Sequence, residues 1–249
     1  MAIFTKQVVR HTHEIEIKYF PRVSHSGGGP RNEREIDLDN LDHSMMESIA
    51  RTKRTIKDYA RNNDFDYFVT LTLDPKKYDS FNIDVVYRVV KSFLQRIRRR
   101  SDVEPKYLLV PEYHADKAKI HLHGYIKGKL ALKKTDLTYK GKRVYNLYDW
   151  DAGFSSAVKI GKSVDDTLRC SSYITKYVTK DMLVSFNKKR YWCSRNLSKP
   201  SLIKEEVIVS DTMTDILAHQ LPTNLPTNYS VYHNDYYVVI TFKDEKKCV

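Results

Sequence analysis

The chain has 249 residues, 41% hydrophobic and 30% charged, which suits one medium folded domain with extensions. No run approaches the roughly 18 consecutive apolar residues of a membrane span, and the start MAIFTKQVVRH lacks a signal peptide's apolar stretch, so a soluble, cytoplasmic protein with no membrane partner is expected. The 43 Lys and Arg against 31 Asp and Glu give a net charge of +12, the footprint of a protein that holds a phosphate backbone, and three scattered cysteines with no CxxC pair exclude a disulfide framework or a zinc ribbon.

In chain order, residues 1–42 read as an arm: a strand-like stretch, Glu14 to Phe20, then Ser26-Gly27-Gly28-Gly29-Pro30, where three glycines hold no packed element. His43 to Asn62 is helix-compatible, with Met46, Ile49, Ile56 and Tyr59 at helical spacing. Asp66 to Leu73 (DYFVTLTL) is a β-branched and aromatic run stopped by Asp74-Pro75, which predicts a buried strand. A helix follows with Val85, Val86, Val89, Phe93 and Ile97 on one side, ending in the basic cluster Arg96, Arg98, Arg99, Arg100.

Strands are expected at Tyr107 to Tyr113, Ile120 to Ile126 and Phe154 to Ile160, and a helix from Asp165 to Met182. This order predicts an α+β fold, a sheet covered by helices on one face. Beyond Pro200 the pattern loosens; LPTNLPTN, Leu221 to Asn228, reads as a turn-rich linker within a C-terminal extension, 201–249, and Tyr236 to Phe242 as a last strand.

Three groups of residues carry chemistry. His121-Leu122-His123 lies in a predicted strand, where alternate residues share a face, so both imidazoles can reach one cation. Glu112, on the preceding strand, supplies a hard oxygen ligand and leaves positions open for phosphate and water. His114 ranks below these three, and His11-Thr12-His13 is a second HxH pair without carboxylate neighbours in the preceding sequence.

The predicted helix from Asp165 carries Tyr173 and Tyr177, and Lys176 and Lys180, each pair one helical turn apart. A phenol with a reference pKa of about 10 needs a nearby cation to act as a nucleophile at neutral pH. Arg96 to Arg100, Lys188, Lys189, Arg190 and Arg195 are candidate phosphate contacts, with Tyr191 or Trp192 available to stack on an unpaired base. A solvated basic face and amphipathic core tyrosines are the bland alternatives for these features. Gly161-Lys162-Ser163 is no P-loop, because Ser156 stands where its leading glycine belongs.

Phe68 to Leu73, His121-Leu122-His123 and Tyr173-Ile174-Thr175-Lys176-Tyr177 resemble, in that order, motifs I, II and III of the HUH endonuclease superfamily, the rolling-circle replication initiators of small single-stranded DNA phages and related plasmids. Arg190 to Leu197 resembles the segment that follows motif III in the phage-type group, so the resemblance spans roughly residues 60 to 200 of a domain taken as 43–200. It implies a central antiparallel sheet with flanking helices (an RRM-like core), and a divalent ion (Mn or Mg) held by Glu112, His121 and His123. It further implies Tyr173 as the first nucleophile, Tyr177 as the second and Lys176 as the motif lysine. The implied partners are single-stranded DNA or an origin hairpin, and a host helicase, since the chain has no motor of its own. A relaxase or tyrosine transposase with the same chemistry, or a non-catalytic single-stranded DNA-binding protein, are the competing readings.

Overall fold

A computed structural model describes residues 2–21, 38–79, 82–113, 120–178, 190–209, 225–234 and 237–244. The chain divides into two compact units, Asp39–Ser198 and Met1–Leu38 with Lys199–Val249.

The larger unit is α+β. Its seven-stranded antiparallel sheet has β3 (Tyr67–Thr72), β4 (Lys106–Tyr113), β5 (Ile120–Lys127), β6 (Leu132–Tyr139), β7 (Lys142–Leu147), β8 (Ser155–Lys159) and the short β9 (Trp192–Cys193), in the order β6-β7-β8-β3-β5-β4-β9. β3 sits between β8 and β5, and its period-2 pattern sends Val69 and Leu71, both fully buried, to one face and Phe68, Thr70 and Thr72 to the other.

Helices cover both faces rather than one. On the Val69 and Leu71 face lies α2 (Ile83–Arg100), started by the Asn82 side chain, which accepts from the N–H groups of Asp84 and Val85. Its buried stripe is Val86, Val90, Phe93 and Ile97; Val85 and Val89 flank that stripe. Each such buried side chain contributes about 1.5–3 kcal/mol before the entropy of ordering it. On the opposite face, α1 (Leu38–Arg61) packs through Ile49, Ile56, Tyr59 and Ala60, while Met46 is exposed. α3 (Val164–Thr175) packs on the same face through Ile174.

α3 is shorter than its spacing suggests. It starts with Ser163, whose hydroxyl accepts from Asp166 N–H at 3.1 Å, and ends at Thr175, beyond which Lys176, Tyr177 and Val178 donate to the carbonyls three residues back. Ile174, Thr175 and Val178 are β-branched, which disfavours continuing the helix, so its end tightens into a turn.

The smaller unit joins the two ends of the chain, expected from the sequence to be an arm and an extension. β1 (Ala2–Arg10) pairs along its length with β10 (Ser201–Val209), and β2 (Glu14–Pro21), β12 (Val238–Lys243) and β11 (Tyr229–His233) complete an antiparallel sheet ordered β10-β1-β2-β12-β11. Its core is Phe4, Ile15, Ile17, Tyr19, Val238 and Ile240. His11 lies beside a carboxylate after all, 3.9 Å from Glu16, at the β1–β2 turn. Half of the LPTNLPTN segment, 221–224, lies outside the described residues. Among the described residues no helix is long and apolar enough to cross a membrane.

Candidate active site

The face of the sheet that meets α1 and α3 carries the residues singled out from the sequence. Register explains why: Thr72 pairs with His121 and His121 with Glu112, while Thr70 pairs with His123 in the adjacent row. Directly paired residues of antiparallel strands point the same way, so three neighbouring strands deliver two hydroxyls, two imidazoles and one carboxylate to a single patch. Gly124, just beyond His123, lets β5 lie tightly on β4; a Cβ there would be 2.1 Å from the Leu108 carbonyl oxygen.

Each imidazole is held from behind. Thr70 Oγ1 is 3.2 Å from His123 Nδ1, and Thr72 Oγ1 is 3.0 Å from His121 Nδ1. His123 Nε2 lies 2.9 Å from Glu112 Oε2. Burial, then the charges of His121 and Lys176, lower the His123 pKa to about 3, so this contact is a neutral imidazole donating to a carboxylate rather than an ion pair. A threonine hydroxyl both donates and accepts, so it can hold Nδ1 in either tautomer and leave Nε2 with a proton or with a free lone pair.

A divalent cation fits the donor chemistry of this patch. Two donor atoms each about 2.1 Å from one ion and about 90° apart lie about 3.0 Å from each other, close to the Glu112–His123 spacing. The His121 and His123 rings are parallel with centroids 6.0 Å apart, and must tilt together to share one ion. Among the described residues no group of three His, Cys, Asp or Glu side chains is already arranged as a closed metal site. His114 lies outside the described residues.

Both tyrosines reach the patch. Tyr177, on the turn after α3, stacks its ring on His123 with centroids 3.9 Å apart, and its hydroxyl donates to the Tyr173 hydroxyl at 2.8 Å. Tyr173 sits edge-on to Phe68, 5.4 Å between centroids, and Lys176 Nζ is 3.7 Å from the Tyr173 ring centroid and 4.9 Å from that of Tyr177. Burial raises the pKa of the Tyr173 phenol, but the donated bond from Tyr177, the Lys176 ammonium and the Tyr139 hydroxyl outweigh it and bring it below the usual phenol value. Tyr177 moves the other way, raised by burial and by the bond it donates to Tyr173. Tyr125 anchors the helix to the sheet, its hydroxyl donating to the Cys170 carbonyl at 2.6 Å.

A cleft of about 600 Å3 opens beside the patch, with Phe68, His123, Tyr139, Tyr173 and Tyr177 in its walls and Lys140, Lys142, Lys159 and Arg169 among its lining side chains. Tyr139 and these cations were not expected from the sequence. Their only sequence signal is Lys140-Gly141 between two polar runs.

The basic residues expected to touch DNA are placed differently. Arg96 and Arg100 leave α2 on the opposite face of the sheet and tie down the loop after β7: Arg96 Nε donates to the Asp149 carbonyl at 2.9 Å and its terminal nitrogen to Asp151 at 2.7 Å, while Arg100 pairs with the buried Asp149 carboxylate. Arg99 is exposed at the same helix end, and Arg195 is exposed next to β9. Arg190 is half-buried, and Lys180, Lys188 and Lys189 lie outside the described residues. Tyr191 and Trp192 are partly buried against the two cores, one on each face of the sheet.

Residues 66–182 match a family model described as a replication-associated protein of the ORF2 type. This segment is similar to replication-associated proteins. It spans β3 to β8, α2 and α3, so it contains Thr70, Thr72, Glu112, His121, His123, Tyr173, Lys176 and Tyr177. The match supports a part in DNA replication and is consistent with a replication initiator. No curated protein and no solved structure matches the chain.

Proposed function

We propose that the chain is a rolling-circle replication initiator of the HUH type, which nicks and rejoins single-stranded origin DNA by metal-dependent transesterification. The observation that carries this reading is the one-way hydrogen bond from Tyr177 to Tyr173, made directly over the His121, His123 and Glu112 patch. A phenol that accepts a hydrogen bond and lies against an ammonium carries negative charge more readily than a free one, which is what an attacking oxygen needs.

Tyr173 Oη attacks the scissile phosphorus, a Tyr–O–P bond forms, and the bond from phosphorus to the 3′ oxygen breaks. The phenolic proton is lost from Tyr173 and a proton is gained by the departing 3′ oxygen, so the products are a 5′-phosphotyrosine and a free 3′-hydroxyl. Lys176 stabilises charge on the phenolic oxygen and on the phosphate oxygens. Glu112, His121 and His123 would hold a Mn or Mg ion, whose chemistry when bound is to polarise the phosphate. Thr70 and Thr72 orient the two imidazoles from behind. Rejoining is the same exchange in reverse, and Tyr177 is placed to perform a second transfer.

Incubating the protein with candidate origin oligonucleotides and Mn, then resolving the products under denaturing conditions, tests this. The expected product is a covalent protein–DNA adduct with release of a 3′-hydroxyl strand. A protein that binds the oligonucleotides and never forms the adduct is a binding module instead.

A further inference from the structure

β6 and β7 form a two-stranded ribbon that projects from the edge of the sheet, joined by Lys140 and Gly141 at φ of 49° and 73°. Positive φ at both central residues is the geometry of a tight hairpin turn. The register between the strands shifts between Lys134 and Thr138, and such an irregularity bends a ribbon and re-aims the side chains beyond it. Beyond it, Tyr139, Lys140 and Lys142 line the cleft that also holds Tyr173 and Tyr177.

Lysines on an edge strand ordinarily serve to block edge-to-edge pairing. Lys133 and Lys134 suit that role, since they are exposed on β6 and do not line the cleft. Lys140, Lys142 and Lys159 are different: they sit on the turn, at the start of β7 and at the end of β8, and all three face one concavity. Among the described residues none of the three makes an ion pair, whereas Arg169, on the α3 side, is 3.1 Å from Asp166. The Tyr139 ring is half exposed in the same cleft, at 50%. The volume, about 600 Å3, is that of a small-ligand site and takes a short unpaired stretch, not a duplex. Unpaired cations along a groove with an aromatic ring in its wall are how single strands are gripped.

Resting on the nicking function proposed above, we infer that the β6–β7 hairpin is a clamp for the unpaired DNA strand, with Lys140, Lys142 and Lys159 on its phosphates and Tyr139 against a base, beside Tyr173.

Fluorescence anisotropy of a labelled oligodeoxythymidylate, titrated with protein over a range of salt concentrations, tests the clamp without requiring chemistry. In the triple variant Lys140→Ala, Lys142→Ala, Lys159→Ala, the slope of log affinity against log salt should fall by about 2, at about 0.7 for each phosphate no longer neutralised. Lys133→Ala with Lys134→Ala, on the same hairpin outside the cleft, should keep the wild-type slope. Tyr139→Ala should weaken binding about fivefold or more and Tyr139→Phe should restore it. Equal losses in the two lysine variants, an unchanged slope in the triple variant, no binding by the wild type, or tighter binding of oligouridylate would each overturn the clamp. Adduct formation measured on the same proteins separates the two claims. A wild type whose binding depends on the hairpin but which forms no adduct supports the clamp and defeats the nicking function. Adduct formation together with hairpin-independent binding does the reverse.

Discussion

The Tyr177 hydroxyl donates to the Tyr173 hydroxyl across 2.8 Å, which makes two tyrosines from one short segment chemically unequal. Tyr173, the acceptor, has its pKa lowered, and Tyr177, the donor, has its pKa raised. The pair therefore has a built-in order of use, in which Tyr173 ionises while Tyr177 keeps its proton.

That order gives a pH signature. The phenolate fraction of Tyr173 rises with pH, so single-turnover adduct formation should rise through its pKa and level off above it. In Tyr177→Phe the donated bond is gone, the Tyr173 pKa moves up, and the rising limb of the profile should shift to higher pH with an unchanged plateau. A profile that does not move would mean that the hydrogen bond has no part in activating Tyr173.

Thr70 and Thr72 should matter for metal affinity rather than for folding. Thr70→Val or Thr72→Val removes the hydroxyl facing Nδ1 and should weaken Mn binding about 10- to 100-fold, read by titration calorimetry, with the unfolding midpoint little changed. Mn affinity equal to that of the wild type would show that the imidazoles need no support from β3.

Arg100 is a structural residue by position. Arg100→Ala removes the cation paired with the buried Asp149 carboxylate, which keeps the Ala131 N–H at 3.3 Å, and it weakens the loop after β7. Because the arginine side chain is 40% exposed, the cost is held to about 1–2 kcal/mol in urea unfolding, and affinity for single-stranded DNA should not change. A loss of DNA affinity at constant stability would restore Arg100 to the phosphate contacts.

Tyr125→Phe should cost about 0.5–1.5 kcal/mol in the same unfolding experiment, because it deletes one buried hydrogen bond between the sheet and α3. An effect near zero would mean that Ile174 packing alone seats the helix.

Much of the site was legible because strand alternation is local. His121, His123 and the alternating Phe68 to Leu73 could be placed on faces from a period of two, and Glu112 was found one strand away. What one strand reads on its own cannot reveal is register, and the pairing of Thr70 with His123 and of Thr72 with His121 is a property of two strands at once. The β6–β7 ribbon escaped for a different reason: almost all of β6 is exposed, so its composition carries no burial pattern. The same holds for β10, whose Leu202 and Ile203 are exposed. For α3, a helical spacing of tyrosines also suits a helix ending in a tight turn, and only the hydrogen bonds of Lys176, Tyr177 and Val178 distinguish the two.

The most direct measurement is to locate the DNA on the protein. After reaction with an origin oligonucleotide and Mn, nuclease trimming and peptide mass spectrometry should place the nucleotide remnant on Tyr173 in the wild type, and adduct should vanish in Tyr173→Phe with Tyr177→Phe. A remnant on another residue, or an undiminished adduct in the double variant, would contradict the assignment of Tyr173 as the attacking group.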